Sequence, residues 1–337
     1  MKVFVPSRHH LHRPAKDFSD GLPPFEHMER PERIGLIMEG LKAAGISDFV
    51  EVAGSAMDVV LHMHDRTYVE FLLELSRQIK PEHEYLPPIF HDDLSAAPLW
   101  FRGGTYCREI GTPIGPHTAE AALNSAATAI AAAQHTLAAD EDSFALCRPP
   151  GHHAGLRRYG GYSFFNNAYL AAGQFGKAGH YAPILDIDYH LGDGSAEFAC
   201  PASPYYSLHA HPGRNYPYLA SLAEAERPHI TQRIFAAGVA AEPYLRQLSE
   251  LVTDMELRIP NTVILSLGFD TLGIDYIQDE ETAITVEDFA RIGAAIATIR
   301  SPIVFILEGG YDPENLPACA ERFFSGFLDA RRRQARS

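Results

Sequence analysis

The chain has 337 residues, of which 46% are hydrophobic and 21% charged, the make-up of a globular protein able to bury a large core. Its net charge of −15 disfavours nucleic acid and anionic membranes as partners and would draw cationic substrates to any site where the acids cluster. The four cysteines, Cys107, Cys147, Cys200 and Cys319, form no Cys-x-x-Cys pair, which argues against a disulfide framework and against a thiolate zinc site. Residues 1–6 read as a short strand and not a signal peptide, and no apolar run approaches the roughly 18 residues a membrane span needs. A cytoplasmic location is expected.

A polar stretch rich in His, Arg and Pro, residues 7–29, follows the first strand and is too long and irregular for a simple connection. Pro31 opens a helical pattern through Ile34, Ile37, Met38 and Leu41 that ends at Gly45. A second helix is expected over Tyr68 to Ile79. Residues 80–116 form another long segment, crowded with Pro, Gly, His and Asp, which holds Trp100, the one tryptophan. Loops of this length in a compact domain usually build sites. The Ala-rich stretch from Thr118 to Ala139 has strong helix propensity, with Thr118 as N-cap and no capping box, since Ala121 stands three residues on. No linker or repeat marks a domain boundary, so one domain is expected over residues 1–337.

From residue 143 the chain repeats one pattern of apolar run, polar residues and helix. Ser143 to Cys147 runs into Arg148 to His153, and Ile184-Leu185 into Asp186-Ile187-Asp188-Tyr189-His190. Tyr205 to Leu208 runs into His209 and His211, Val263 to Leu267 into Gly268-Phe269-Asp270, and Ile303 to Leu307 into Glu308-Gly309-Gly310-Tyr311. Continuous apolar runs alternating with helices describe a parallel sheet buried on both faces. Ligands bind beyond the carboxyl ends of such strands, so these polar residues would meet on one rim.

In an extended strand Asp186, Asp188 and His190 project to one side. Such charges beside a buried strand need compensation, for which a divalent cation suits the ligand set; the other reading is a solvated acidic turn. Asp270 is a candidate third ligand: with Asp188 and His190 it gives two carboxylates and an imidazole, and leaves a position open for water. His152 and His153, on a Pro-Gly loop, are either a polar surface feature or general acid/base groups. Tyr311, after two glycines, is either a phenol aimed inward or a rim aromatic.

Taken in order, Arg-Pro-Pro-Gly-His-His-Ala at 148–154, Gly-Tyr-Ser-Phe-Phe-Asn-Asn-Ala at 161–168 and Asp-Ile-Asp-Tyr-His-Leu-Gly-Asp-Gly at 186–194 resemble the histone deacetylase superfamily. Ser-Leu-His at 207–209, Gly-Phe-Asp-Thr at 268–271 and Glu-Gly-Gly-Tyr at 308–311 continue the resemblance, and residues 27–33 and His64-Asp65 with Tyr68 extend it toward the N-terminus. Residues 11–26, Thr112-Pro113-Ile114 with Pro116, and Glu120-Ala121-Ala122 are most similar to bacterial acetylpolyamine amidohydrolases.

The resemblance implies an arginase-like single α/β domain, a parallel sheet of about eight strands with helices on both faces, that hydrolyses an acylated amine. It assigns one catalytic Zn2+ to Asp188, His190 and Asp270. His153 would be the general base and then acid, and His152 its electrostatic neighbour, with Asp186 and Asp193 as their carboxylate partners. Tyr311 would donate to the oxyanion. Gly161, Tyr162 and Tyr216 match the walls around the linear substrate, and a structural K+ would take the backbone at Asp186, Asp188, His190 and Leu208 with the Ser207 hydroxyl.

Two positions depart from the family pattern. Leu191 replaces a second His after the zinc ligand, a position that is not a family metal ligand. Trp100 stands where acetylpolyamine amidohydrolases place an acid that reads the distal ammonium; Asp92 and Asp93 are close to it, and Asp17 matches another acidic rim position. Small acylated amines are the expected substrates, because two long rim loops narrow the mouth, with a second subunit of a homodimer as a candidate contributor. The alternative enzyme is a protein lysine deacetylase. A silent binding module would lack a catalytic group, and none is lacking.

Overall fold

The structure is a computed structural model of the chain and describes residues 1–18, 23–88, 93–224 and 227–336. Its strands are β1 (Lys2–Pro6), β2 (Lys16–Asp17), β3 (Phe25–Glu26), β4 (Phe49–Val52), β5 (Ser143–Ala145), β6 (Ile184–Asp186), β7 (Tyr205–His209), β8 (Ile230–Ile234), β9 (Val263–Leu267) and β10 (Ile303–Leu307). The helices are α1 (Glu32–Ala43), α2 (Met57–Met63), α3 (Arg66–Gln78), α4 (Leu99–Tyr106), α5 (Thr118–Ala139), α6 (Asn167–Lys177), α7 (Asp193–Phe198), α8 (Ser221–Glu224), α9 (Ala241–Glu256), α10 (Asp288–Ile296) and α11 (Leu316–Gln334). Eight strands form one sheet in the order β4-β1-β5-β10-β9-β6-β7-β8, and every neighbouring pair is parallel.

Successive strand residues face opposite sides of the sheet, and both sides are covered. Val3, Phe144, Leu265 and Phe305 pack with α1, α9, α10 and α11, whereas Phe4, Ala145, Ile264 and Val304 pack against α5 and α6. The expected single α/β domain with a parallel sheet between helices is therefore what the chain forms. A third cluster, built from α2, α3 and the Tyr106, Tyr159 and Phe164 rings, buttresses the loops on one flank.

Local chemistry moves some boundaries. The second helix starts two residues earlier than the apolar pattern suggests, because Asp65 accepts hydrogen bonds from the Thr67 and Tyr68 amides at 2.9 and 3.2 Å. The Ala-rich helix spans its expected residues, but Thr118 is its first turn and not its cap, which is His117. The Thr118 hydroxyl instead accepts from the Gly115 amide at 2.8 Å and meets His12 at 2.9 Å. The segment 80–116 contains helix α4, and 7–29 contains the short β2–β3 hairpin.

Candidate active site

The polar residues that follow β5, β6, β9 and β10 meet at the carboxyl ends of these strands, around a cavity of about 600 Å³. Strand β6 stops at Asp186, so the extended alternation expected through His190 does not hold. The Asp188 amide donates to Asp186 Oδ1 at 3.1 Å and the His190 amide to Asp188 Oδ1 at 2.9 Å, local bonds that compete with the strand ladder and bend the chain. The bend sends Asp186 toward His152 and leaves Asp188 and His190 facing Asp270, which follows β9.

The donor atoms of Asp188, His190 and Asp270 lie within 4.8 Å of one another, and all three residues are buried. His190 Nδ1 is 3.4 Å from Asp188 and 3.2 Å from Asp270. Burial and the Asp188 charge push Asp270 up, while His152 and His190 outweigh burial and hold Asp188 low. Two carboxylates confined this way repel each other, and a divalent cation relieves the repulsion. The space around them is kept by glycines: a Cβ on Gly268 would lie 2.3 Å from Asp188 Oδ2, and one on Gly309 2.3 Å from Asp270 Oδ2. The donor set and its glycine cradle fit a metal ion.

His152 and His153 sit on the loop after β5, and Glu308, after β10, holds that loop from beneath. Glu308 Oε2 accepts from the Gly151 and His152 amides at 2.8 and 3.1 Å, and Oε1 from Ser266 at 3.0 Å. Burial, against the pull of His152, pushes its carboxyl up to about 7. His152 Nδ1 lies 3.1 Å from Asp186, and Asp188 and Asp186 overcome burial to raise the imidazole well above its ordinary value. His153 Nδ1 lies 2.9 Å from Asp193 Oδ1; burial and the adjacent His152 lower it to about 3. Asp193 Oδ2 accepts from Arg158 at 2.7 Å, and Arg108 approaches it to 3.5 Å.

Tyr311 is buried, with Arg33 stacked 4.5 Å from its ring centre and Tyr162 edge-on at 5.6 Å. Arg33 also donates to the Gly310 and Glu308 carbonyls, both at 2.7 Å, which fixes the turn carrying the phenol. Gly310 has φ of +112°, a conformation an L side chain rarely adopts. Tyr216, also on the cavity wall, stands edge-on to His153 at 4.7 Å. Gly161, with φ of +51°, passes so close that a Cβ there would lie 2.3 Å from the His153 ring.

Residues 27–327 match the histone deacetylase domain family. The chain belongs to this family. It is 33% identical over 334 residues to an acetylpolyamine amidohydrolase of Mycoplana ramosa, spanning 92% of this chain and 95% of that one. It is 30% identical over 330 residues to one from Burkholderia pseudomallei, spanning 94% and 96%. The solved structure of an acetylpolyamine aminohydrolase from Burkholderia pseudomallei superposes with a TM-score of 0.89 at 28% identity, covering 98% of this chain and 99% of that one. The protein is thus a deacetylase of the histone deacetylase family, close to the acetylpolyamine amidohydrolases.

In this deacetylase the structure brings His152, His153, Asp188, His190, Asp193, Asp270, Tyr311, Gly161, Tyr162 and Tyr216 around one cavity. Both long loops reach it, through Phe25 and Met28 from the first and Arg108 and Glu109 from the second. Two residues expected to read substrate do not line it. Asp17 is fully buried on β2, where it accepts a hydrogen bond from the Tyr162 hydroxyl and so backs the wall. Trp100, on α4, is 46% exposed beside Tyr85 and borders a separate recess, so within one chain it stands outside the cavity. Asp93 is tied up locally, accepting from the Ser95 amide at 2.9 Å, and Asp92 lies outside the described residues. Leu191 is packed in the core between the sheet and α5 and α6.

Ser207 pairs with Asp186 across β6 and β7, and its hydroxyl is buried with no hydrogen-bond partner among the described residues. A buried oxygen left without a partner is compatible with a bound cation. Glu308 and Glu109 are site residues to which the sequence reading gave no role. Glu308 had a signal, since it follows a buried strand as Asp270 does. Glu109 sits inside a long loop; it accepts from Thr112 at 2.5 Å, from Gly161 at 3.1 Å and from the Gly111 amide, and so shapes the wall.

Proposed function

We propose that this deacetylase is a zinc-dependent amidohydrolase that removes an acetyl group from a small amine. The observation that carries the reading is the buried Asp188, His190 and Asp270 cluster facing Tyr311 and the His152–His153 pair at the floor of an aromatic-walled cavity. The named relatives, acetylpolyamine amidohydrolases, support an extended amine as substrate. Zinc held by Asp188, His190 and Asp270 supplies, when bound, polarisation of the amide carbonyl and of the attacking water.

The chain's own groups move the protons. Asp193 binds the Nδ1–H of His153, which leaves Nε2 free to take a proton from water, and the depressed basicity of His153 keeps it neutral beforehand. The same nitrogen then gives the proton to the departing amine, so the products are the free amine and acetate. His152, held by Asp186, contributes positive charge next to the reacting centre. The Tyr311 hydroxyl donates to the oxyanion as the carbonyl carbon becomes tetrahedral. Tyr162 and Tyr216 confine the alkyl chain and exclude water. The main chain of Asp186, Asp188, His190 and Leu208 and the Ser207 hydroxyl would hold a structural K+.

A panel of acetylated polyamines and acetyl-lysine peptides, compared by kcat/KM with the purified enzyme, tests the substrate assignment. Small acetylated amines should outperform peptides. A clear preference for histone-like peptides would instead support a protein lysine deacetylase.

A further inference from the structure

Among the described residues five carboxylates line the cavity, and four of them are engaged. Asp188 and Asp270 belong to the buried triad. Asp193 is shared by His153, Arg158 and Arg108. Glu109 turns its oxygens to Gly111, Thr112 and Gly161. The fifth, Asp279, is exposed at the mouth and makes no ion pair among the described residues. Its neighbour Glu280 is paired with Arg214 at 3.2 Å, so that cation is already engaged.

Asp279 is nevertheless held in place. Its Oδ2 accepts from the Tyr216 amide at 3.3 Å and from the Tyr218 hydroxyl at 2.8 Å. Tyr216 therefore links two points: its ring stands against His153 while its main chain anchors Asp279. The carboxylate lies one tyrosine away from the reacting centre, along the wall that guides the alkyl chain. Tyr218 and Tyr276, 59% and 66% exposed, flank the same mouth. Exposed rings beside a carboxylate suit an ammonium, which the carboxylate attracts by charge and the ring faces by their quadrupoles.

We propose that Asp279, with the rings of Tyr218 and Tyr276, is a specificity site that takes the distal ammonium of a cationic acylated amine. The proposal rests on the reading of the enzyme as a small-amine deacetylase and names the group that selects among such amines. It moves cation recognition away from Asp17, which is buried, and from Trp100, which lies outside the cavity. Arg108, half exposed on the cavity wall, is the group that would favour the opposite charge, but its guanidinium already faces Asp193.

The test compares monoacetylcadaverine, neutral N-pentylacetamide and an acetylated ω-amino acid of similar length, on the wild type and on Asp279→Asn. Asparagine keeps an acceptor for Tyr216 and Tyr218, so the shape of the mouth is retained and the neutral amide serves as internal control. The variant should lose about five- to tenfold in kcat/KM on monoacetylcadaverine, mostly through KM, and less than about twofold on the neutral amide, as expected for one exposed charge pair with ring support. Added salt should erode the wild-type preference for the cation and leave the neutral rate unchanged. Equal losses on both amides, no loss on either, or a wild-type preference for the anionic substrate would overturn the Asp279 assignment alone. A wild type that cleaved acetyl-lysine peptides and neither small amide would overturn the functional reading, and this one with it.

Discussion

Tyr311, the proposed oxyanion donor, shows how much surrounding structure such a role needs. Burial pushes its phenol well above the ordinary range, Arg33 pulls the other way, and Asp270 and Asp188 add to the rise, so the hydroxyl keeps its proton at any working pH. The ring is held by Arg33 at 4.5 Å, and its amide donates to Asp275 at 2.6 Å, so removing the hydroxyl leaves the ring where it was. Tyr311→Phe should therefore cut kcat by about 10²- to 10³-fold, with KM and melting temperature little changed. Steady-state kinetics on an acetylated amine, alongside thermal unfolding, checks this; an unaltered kcat removes Tyr311 from the mechanism. At this scale the sequence spoke clearly wherever a polar residue directly follows a buried strand, as Asp188, His190, Asp270 and Tyr311 do. It spoke poorly where the residue lies on a loop. Asp17 looked like a rim acid and is interior, while Asp279 gave no signal because its place at the mouth depends on how residues 268–287 cross the rim.

Helix packing on the face opposite α5 and α6 depends on backbone-to-backbone contact. A Cβ on Gly326 of α11 would lie 2.0 Å from the Ala290 carbonyl of α10, and one on Gly293 of α10 would lie 2.0 Å from the Phe323 carbonyl of α11. The obstacle is rigid main chain, so Gly326→Ala must force the helices apart. That should cost about 1–3 kcal/mol of stability despite the better helix propensity of alanine. Beyond its own helix turn, Gly35 in α1 has no atom of the described residues within 4 Å of its would-be Cβ, so Gly35→Ala should stabilise by up to about 1 kcal/mol. Denaturant unfolding of the two variants should move the midpoint in opposite directions; a shift of the same sign in both would refute the close-packing account. Element by element, the central strands were legible because burial on both faces leaves continuous apolar runs. Strands β4 and β8 at the sheet edges were not, since Phe-Val-Glu-Val and Ile-Thr-Gln-Arg-Ile are partly exposed and carry polar residues. Helix α4 was hidden by its paired glycines, Gly103 and Gly104, which local propensity assigns to a loop.

The site also bears on the stability of the whole molecule, because its charges hang from the ends of three adjacent central strands. Asp188 follows β6, Asp270 follows β9, and Gly309, which follows β10, donates its amide to Asp188 Oδ2 at 2.8 Å. Asp186 and Glu308 lie in the same buried region, so four carboxylates crowd the carboxyl edge of the sheet, offset by His152 and His190. A bound cation would relieve the repulsion within that arrangement. A metal that binds only the folded chain stabilises it in proportion to the logarithm of its free concentration over Kd, about 2.7 kcal/mol at a hundredfold excess. Exhaustive chelation should therefore lower the melting temperature by several degrees, and one equivalent of Zn2+ should restore it. Asp270→Asn removes both a proposed ligand and the repulsion it causes, so its melting temperature should respond far less to chelator or metal. Calorimetry of the two proteins with and without chelator, together with metal content per chain, decides the matter. If the wild type melts at the same temperature in both states, the cluster is balanced by its own histidines and the metal assignment loses its physical basis.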